Sequence, residues 1–149
     1  MALDSIFTIA GQGMTAQGIR LNTVASNLAN AQSASSSVDQ VYRSRHPVFA
    51  AVAQPWLGAA GDAWSRIPET DEASRGVRVA GIVESDAPLE RRYEPSHPLA
   101  DEEGYVFYPN VNVIEQMADM IAASRAFEIN VEMMQSAKTL AQRLLTLGQ

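Results

Sequence analysis

Gly11-Gln12-Gly13-Met14-Thr15-Ala16 matches G-x-G-x-x-A, the pattern in which glycines bring a backbone close to a dinucleotide pyrophosphate. It follows a short apolar run, Ile6–Ala10, and precedes a helical pattern, and Asp39 lies further on as a candidate ribose ligand. The context argues against this chemistry. In a dinucleotide fold the acid ends the second strand, whereas Asp39 precedes the next β-like run and no alternation of strand and helix follows.

The two histidines, His46 and His97, each stand before a proline. A metal would need a further ligand from Asp101, Glu102 or Glu103, and no H-x-x-x-H or H-x-x-E-H spacing is present. Proline drives the preceding residue to extended backbone, so turn positions account for both histidines. Asp101-Glu102-Glu103-Gly104 reads as a solvated turn; nothing in the sequence frames it as an acid–base pair. There is no G-x-S-x-G elbow. The absence of Cys excludes thiolate zinc sites, thiol nucleophiles and disulfides. No cofactor and no metal is expected.

The formal net charge is −6, most of it between residues 40 and 110, and the arginines are dispersed. Without a basic stripe to displace counterions, nucleic acid is not an expected partner. No run of 18 apolar residues is present, so no membrane insertion is expected. Asp4 stands where a secretory signal would be basic, which predicts a cytoplasmic protein or one exported without a cleavable signal peptide.

The elements around these residues carry more information. Val111 to Leu147 holds no Pro or Gly, and 21 of its 37 residues are Ala, Val, Ile, Leu, Met or Phe. As one helix it would run roughly 55 Å. Val113, Met120, Phe127, Met134 and Ala141 form one row at seven-residue spacing; Met117, Ser124, Val131, Lys138 and Leu145 form a second; Ala126, Met133, Leu140 and Leu147 form a third. A helix apolar on several sides needs cover on several sides. Each large apolar side chain left in water forfeits about 1.5–3 kcal/mol. The methionines here are core or interface filler.

Residues 3–31 predict a first helix, with Phe7, Met14, Leu21 and Leu28 in one row and Leu3, Ala10, Gln17, Val24 and Ala31 in another. Asp4 or Ser5 is the expected start cap, and Asn30 with the serines that follow the expected end. Between the helices lie all seven prolines and short β-like runs, Val41–Arg45, Val48–Val52, Val77–Val83, Arg91–Tyr93 and Tyr105–Tyr108, with a loop from Gly58 to Gly76. Asn110 is the expected N-cap of the long helix and Gly148 its end. The fold class is therefore α+β: long N- and C-terminal helices pairing as an antiparallel-type coiled coil around a small β-rich insert. The expected divisions are 1–34, 35–109 and 110–149.

Asn27 and Asn130 are poor caps, and amides in apolar helices are costly unless paired. They also carry a resemblance. Ala25-Ser26-Asn27-Leu28-Ala29-Asn30-Ala31 resembles the A-x-N-L-A-N motif of flagellar axial proteins. Arg45-His46-Pro47-Val48-Phe49, Gly76-Val77-Arg78-Val79, Pro95-Ser96-His97-Pro98, Gly104-Tyr105-Val106 and Pro109-Asn110-Val111-Asn112 follow in order. So do Glu115-Gln116-Met117-Ala118-Asp119-Met120-Ile121 and Ser124-Arg125-Ala126-Phe127-Glu128-Ile129-Asn130. The series is similar to the proximal-rod proteins of the bacterial flagellar basal body over nearly the whole chain, with Ala50–Ser74 matching least. The resemblance implies a structural subunit and no enzyme. Its terminal helices would pack with neighbours into a helical tube that transmits torque across the periplasm. It also implies unfolded passage through the flagellar export apparatus. The implied neighbours are other proximal-rod proteins, the distal rod, the rotor-to-rod adaptor and further copies of the chain.

Leu21, Val24, Leu28, Met117, Met120, Phe127, Val131, Leu140 and Leu144 are thus expected to be buried between helices in the assembly. Asn27, Asn30, Asn110, Asn112 and Asn130 are expected to set register or caps. Replacing Asn27 by Leu is expected to spare the middle of the chain and impair assembly.

Overall fold

The computed structural model describes residues 2–52 and 76–147, with backbone alone at 2–4 and 147. The elements run α1 (Ala2–Asn30), β1 (Arg45–Ala51), β2 (Val77–Glu84), β3 (Glu90–Tyr93), β4 (Tyr105–Tyr108) and α2 (Val113–Leu147). The architecture is α+β, two long helices with two small antiparallel sheets. α1 starts before Asp4 and Ser5, so neither caps it. At its end Ser33 N–H and its hydroxyl both donate to the Asn30 carbonyl (3.0 and 2.8 Å), taking up an acceptor that the last turn leaves open. The expected loop from Gly58 and the closing Gly148 lie outside the described residues, apart from Gly76, which opens β2 at φ +146°.

The helices run antiparallel. Gly13 lies against Asn130, Arg20 reaches Asp119 and Asn27 reaches Gln116, so partners descend along α2 as residues ascend along α1. The α2 face toward α1 is centred on Gln116, Ala123, Asn130 and Ala137, seven residues apart, with half-buried Met120, Phe127, Met134 and Ala141 between them. On α1 the matching set is Ala10, Gly13, Gln17, Arg20, Val24 and Asn27. The sequence rows were half right: the row through Ala10 and Val24 and the row through Met120 and Phe127 face inward, and each pairs with a row of small or amide residues. An Ala seam keeps helix axes close, and Gly13 is where the approach is tightest: a Cβ there would stand 2.8 Å from Asn130 Oδ1.

A second face of α1, with Ala16 and Thr23 buried, meets β1 and β2. These strands pair from Arg45↔Glu84 to Ala51↔Val77, with a shift between Val48 and Phe49 that leaves Ala80 unpaired as a bulge. The expected strand Val41–Arg45 does not form; buried Val41 and Ser44 belong to the loop that leads into β1. β3 and β4 pair in register, and Ser35 exchanges both backbone hydrogen bonds with Phe107 on the other side of β4. Val106 is fully buried there, while every residue of β3 is exposed.

Two glycines of α1 should respond oppositely to substitution. Gly18 has open space where a Cβ would go, so Gly18→Ala should stabilise the isolated chain by about 0.5–1 kcal/mol through helix propensity. Gly13→Leu should destabilise it by about 1–3 kcal/mol by forcing the helices apart. Urea unfolding midpoints at constant m-value check both.

Candidate assembly interface

Asn27 is completely buried at the meeting point of three segments. Its Oδ1 accepts from the Tyr42 hydroxyl (2.8 Å) and the Arg45 N–H (2.9 Å). Its Nδ2 donates to the Arg45 carbonyl (2.8 Å) and to Gln116 Oε1 (2.9 Å). An amide has two lone pairs and two protons, and all are used. The contacts to Arg45 N and O imitate a neighbouring strand at the first residue of β1. The contact to Gln116, itself 2% exposed, pins α1 to α2. The Ser26 hydroxyl lies 3.3 Å from the Tyr42 hydroxyl, and Arg20 Nη2 donates to Asp119 Oδ1 at 2.6 Å two turns along.

Asn30, Asn112 and Asn130 bond within or beside their own helices, and Asn110 ties distant loops. Asn30 and Asn130 donate to the carbonyls four residues back, Ser26 and Ala126, within their own helices. Asn110 does not cap α2: its Oδ1 accepts from Ser44 N–H, and its Nδ2 donates to the Ala87 carbonyl, binding the loops on either side of β1 and β2. The cap is Asn112, whose Oδ1 accepts from Ile114 N–H (3.1 Å) and Glu115 N–H (3.4 Å). Spacing alone does not separate two asparagines two residues apart.

The apolar candidates divide by exposure. Val24 is buried in the seam; Leu21, Leu28, Met120, Phe127 and Val131 are half-buried; Met117, Leu140 and Leu144 are 53%, 54% and 60% exposed. Exposed Ile114, Met117 and Ile121 share one flank at the start of α2, and Ile129, Met133 and Leu140 share another further along. Leu144 continues the seam row past Ala137 and is exposed among the described residues. These flanks are too apolar for a helix meant to stay in water.

The chemical candidates are engaged otherwise. Gly11 to Ala16 lies inside α1, where its backbone N–H groups serve the helix instead of a phosphate. His46 stands exposed in β1; His97 Nδ1 accepts from Leu99 N–H in a turn. Asp101 Oδ1 accepts from Glu103 and Tyr105 N–H and closes the turn that Gly104 (φ +83°) completes. Burial first, then its hydrogen bond to Glu94, holds the Tyr108 phenol above its ordinary value, so it remains a donor. Sequence reasoning missed Tyr42, Arg45, Gln116, Ala123 and Ala137. The seven-residue spacing from Gln116 to Ala137 was a usable signal.

Residues 7–32 match the family described as flagella basal body rod protein, and residues 102–147 match flagellar basal body rod FlgEFG protein C-terminal. The chain is 45% identical to flagellar basal-body rod protein FlgC of Escherichia coli O6:H1 and 42% identical to FlgC of Salmonella typhimurium, each over 100% of both chains. It is 36% identical to FlgC of Borreliella burgdorferi over 100% of this chain and 99% of the relative.

The Asn27 geometry revises the expectation for Asn27→Leu. The substitution would leave Gln116 Oε1 and both backbone groups of Arg45 without the amide that pairs them, and Tyr42 with only the Ser26 hydroxyl at 3.3 Å, so it should loosen the insert as well as the helices. The isolated chain should lose on the order of 3–5 kcal/mol, since each buried orphan costs about 1–3. Urea unfolding measures it, and a loss below about 1 kcal/mol would show that the buried amide is not critical.

Proposed function

The chain belongs to the FlgC family of flagellar basal-body rod proteins, and from that membership we propose that it is a non-enzymatic subunit of the proximal rod, built into the shaft that transmits torque across the periplasm. The observation that carries the structural part of this reading is the set of exposed Ile, Met and Leu side chains along α2. A shaft of such helices would bury them between subunits, gaining about 1.5–3 kcal/mol for each side chain fully withdrawn from water. Contacts between unlike surfaces need not close, and so extend into a tube.

On this reading Met117, Leu140 and Leu144 lie in the assembly surface, with Leu21, Leu28, Met120, Phe127 and Val131 at its margins. Val24, Asn27, Asn30, Asn110, Asn112 and Asn130 shape the chain that presents it. The alternating spacing of the seam residues supports coiled-coil packing of the helix pair. Segments 1–34 and 110–149 form the assembly part and 35–109 an outward β-rich part. Its partners are the other proximal- and distal-rod proteins, the rotor-to-rod adaptor, the export apparatus and copies of itself. Export without a cleavable signal peptide is part of the same proposal. No described helix is long and apolar enough to cross a membrane.

Ile121→Asp tests the reading. Ile121 is 58% exposed in the single chain, so the variant should unfold within about 0.5 kcal/mol of the parent. It should nevertheless fail to restore motility or basal bodies to a strain lacking the gene. Full restoration would mean that this flank of α2 stays in water.

A further inference from the structure

The outer edge of β3 is open. β4 turns the backbone groups of two of its residues away from β3. Phe107 exchanges both hydrogen bonds with Ser35 at 3.0 Å. Tyr105 N–H donates to Asp101 Oδ1 (2.8 Å), and its carbonyl accepts from Asp101 N–H (2.9 Å). Antiparallel neighbours alternate between pairs that exchange hydrogen bonds and pairs that do not. Arg91↔Phe107 and Tyr93↔Tyr105 are therefore of the second kind, and the N–H and C=O groups of Arg91 and Tyr93 point outward. Every residue of β3 is exposed, and among the described residues no backbone group pairs with this edge. Such an edge is a template for another strand.

The same edge on a second copy is one strand that could use it. In antiparallel pairing, the register that engages every outward group sets Arg91 against Tyr93 and Tyr93 against Arg91. Arg92 then stands directly opposite Arg92 of the second copy, and Glu90 opposite Glu94 on both sides of it. These three side chains share one face of the ribbon. Arg92 Nε donates to Glu90 Oε1 (2.9 Å), and its guanidinium lies over the Tyr108 ring (4.7 Å), whose hydroxyl donates to Glu94 Oε2 (3.1 Å). Directly opposed side chains are roughly 5 Å apart, and like charges there are destabilising. Slipping the register offers no escape. One step sets Arg91 against Arg91; the step the other way sets Arg91 against Pro95, which has no N–H to donate.

We infer that the charge order Glu90–Arg92–Glu94 bars the open edge of β3 from pairing with the same edge of another copy. A pair made this way would be two-fold, with both edges spent on each other, and could not extend. On the rod reading it would withdraw copies from a structure that grows head to tail. The charge order acts whether or not that reading holds.

The chain has no cysteine, so Arg92→Cys in the purified full-length chain reports the contact as a disulfide between copies. Four chains carry it: one otherwise unchanged, one with Glu90→Arg, one with Glu94→Arg and one with both. Each single change sets opposite charges across both outer pairs, and the two together restore like charges. Loss of the Arg92 stack on Tyr108 is common to all four and cancels in the comparison. Under copper phenanthroline, each single-change chain should form the linked dimer about tenfold faster than the unchanged or the doubly changed chain. The advantage should shrink in high salt. Failure of either single change to accelerate the dimer, or acceleration that survives both changes, would overturn the inference and leave the rod reading untouched.

Discussion

With both lone pairs and both protons of its amide taken up inside the chain, Asn27 can be buried only when α1, α2 and the loop from Tyr42 to Arg45 are all in place. No shorter part of the chain satisfies it. That makes the amide a cooperative tie: the seam between helices, the start of β1 and the approach of the loop form together or leave polar groups stranded at about 1–3 kcal/mol each. Leucine in its place would contribute apolar burial and lose this requirement for one arrangement.

The rest of the single chain follows from a seam built to be narrow. Ala10, Ala123 and Ala137 are buried, and Gly13 admits Asn130 at the closest approach. Small residues cover only a thin stripe of each helix. The large side chains of α2 are therefore displaced to its flanks and its free end, where Ile114, Ile121, Leu140 and Leu144 are more than half exposed. Stability within the chain and capacity for assembly come from different residue types: amides and alanines inside, isoleucines and leucines outside. This division explains how a rod subunit can hold one conformation and still leave apolar area for its neighbours.

Much of this was legible in the sequence, unevenly. Both helices were placed to within about two residues, α2 because a long apolar run free of Pro and Gly admits few alternatives and α1 because its apolar rows recur every seven residues despite three glycines. The rows through Val24 and through Phe127 were found because they are apolar. In the companion rows, Asn27 and Asn130 were singled out as amides, but Gly13, Arg20, Gln116, Ala123 and Ala137 were passed over, since small and polar residues carry little hydrophobic signal. Asn27 stood out as an amide without a capping role, but its partners Tyr42 and Arg45 lie in a segment whose apparent strand pattern concealed a loop. The strands after Arg45 were located within a few residues; their separation into two ribbons, one joined to Ser35, depends on pairing that no local pattern encodes.

The central claim is that the chain is tied shut at Asn27 and left open at the other end of the helix pair. Amide hydrogen exchange on the isolated, full-length chain tests it most directly. The slowest exchange is expected in residues 16–28 and 116–130, with progressively faster exchange in α2 beyond Ala137. Fast exchange throughout α1 and α2 would contradict it, because the helices would then gain their order only from neighbouring subunits.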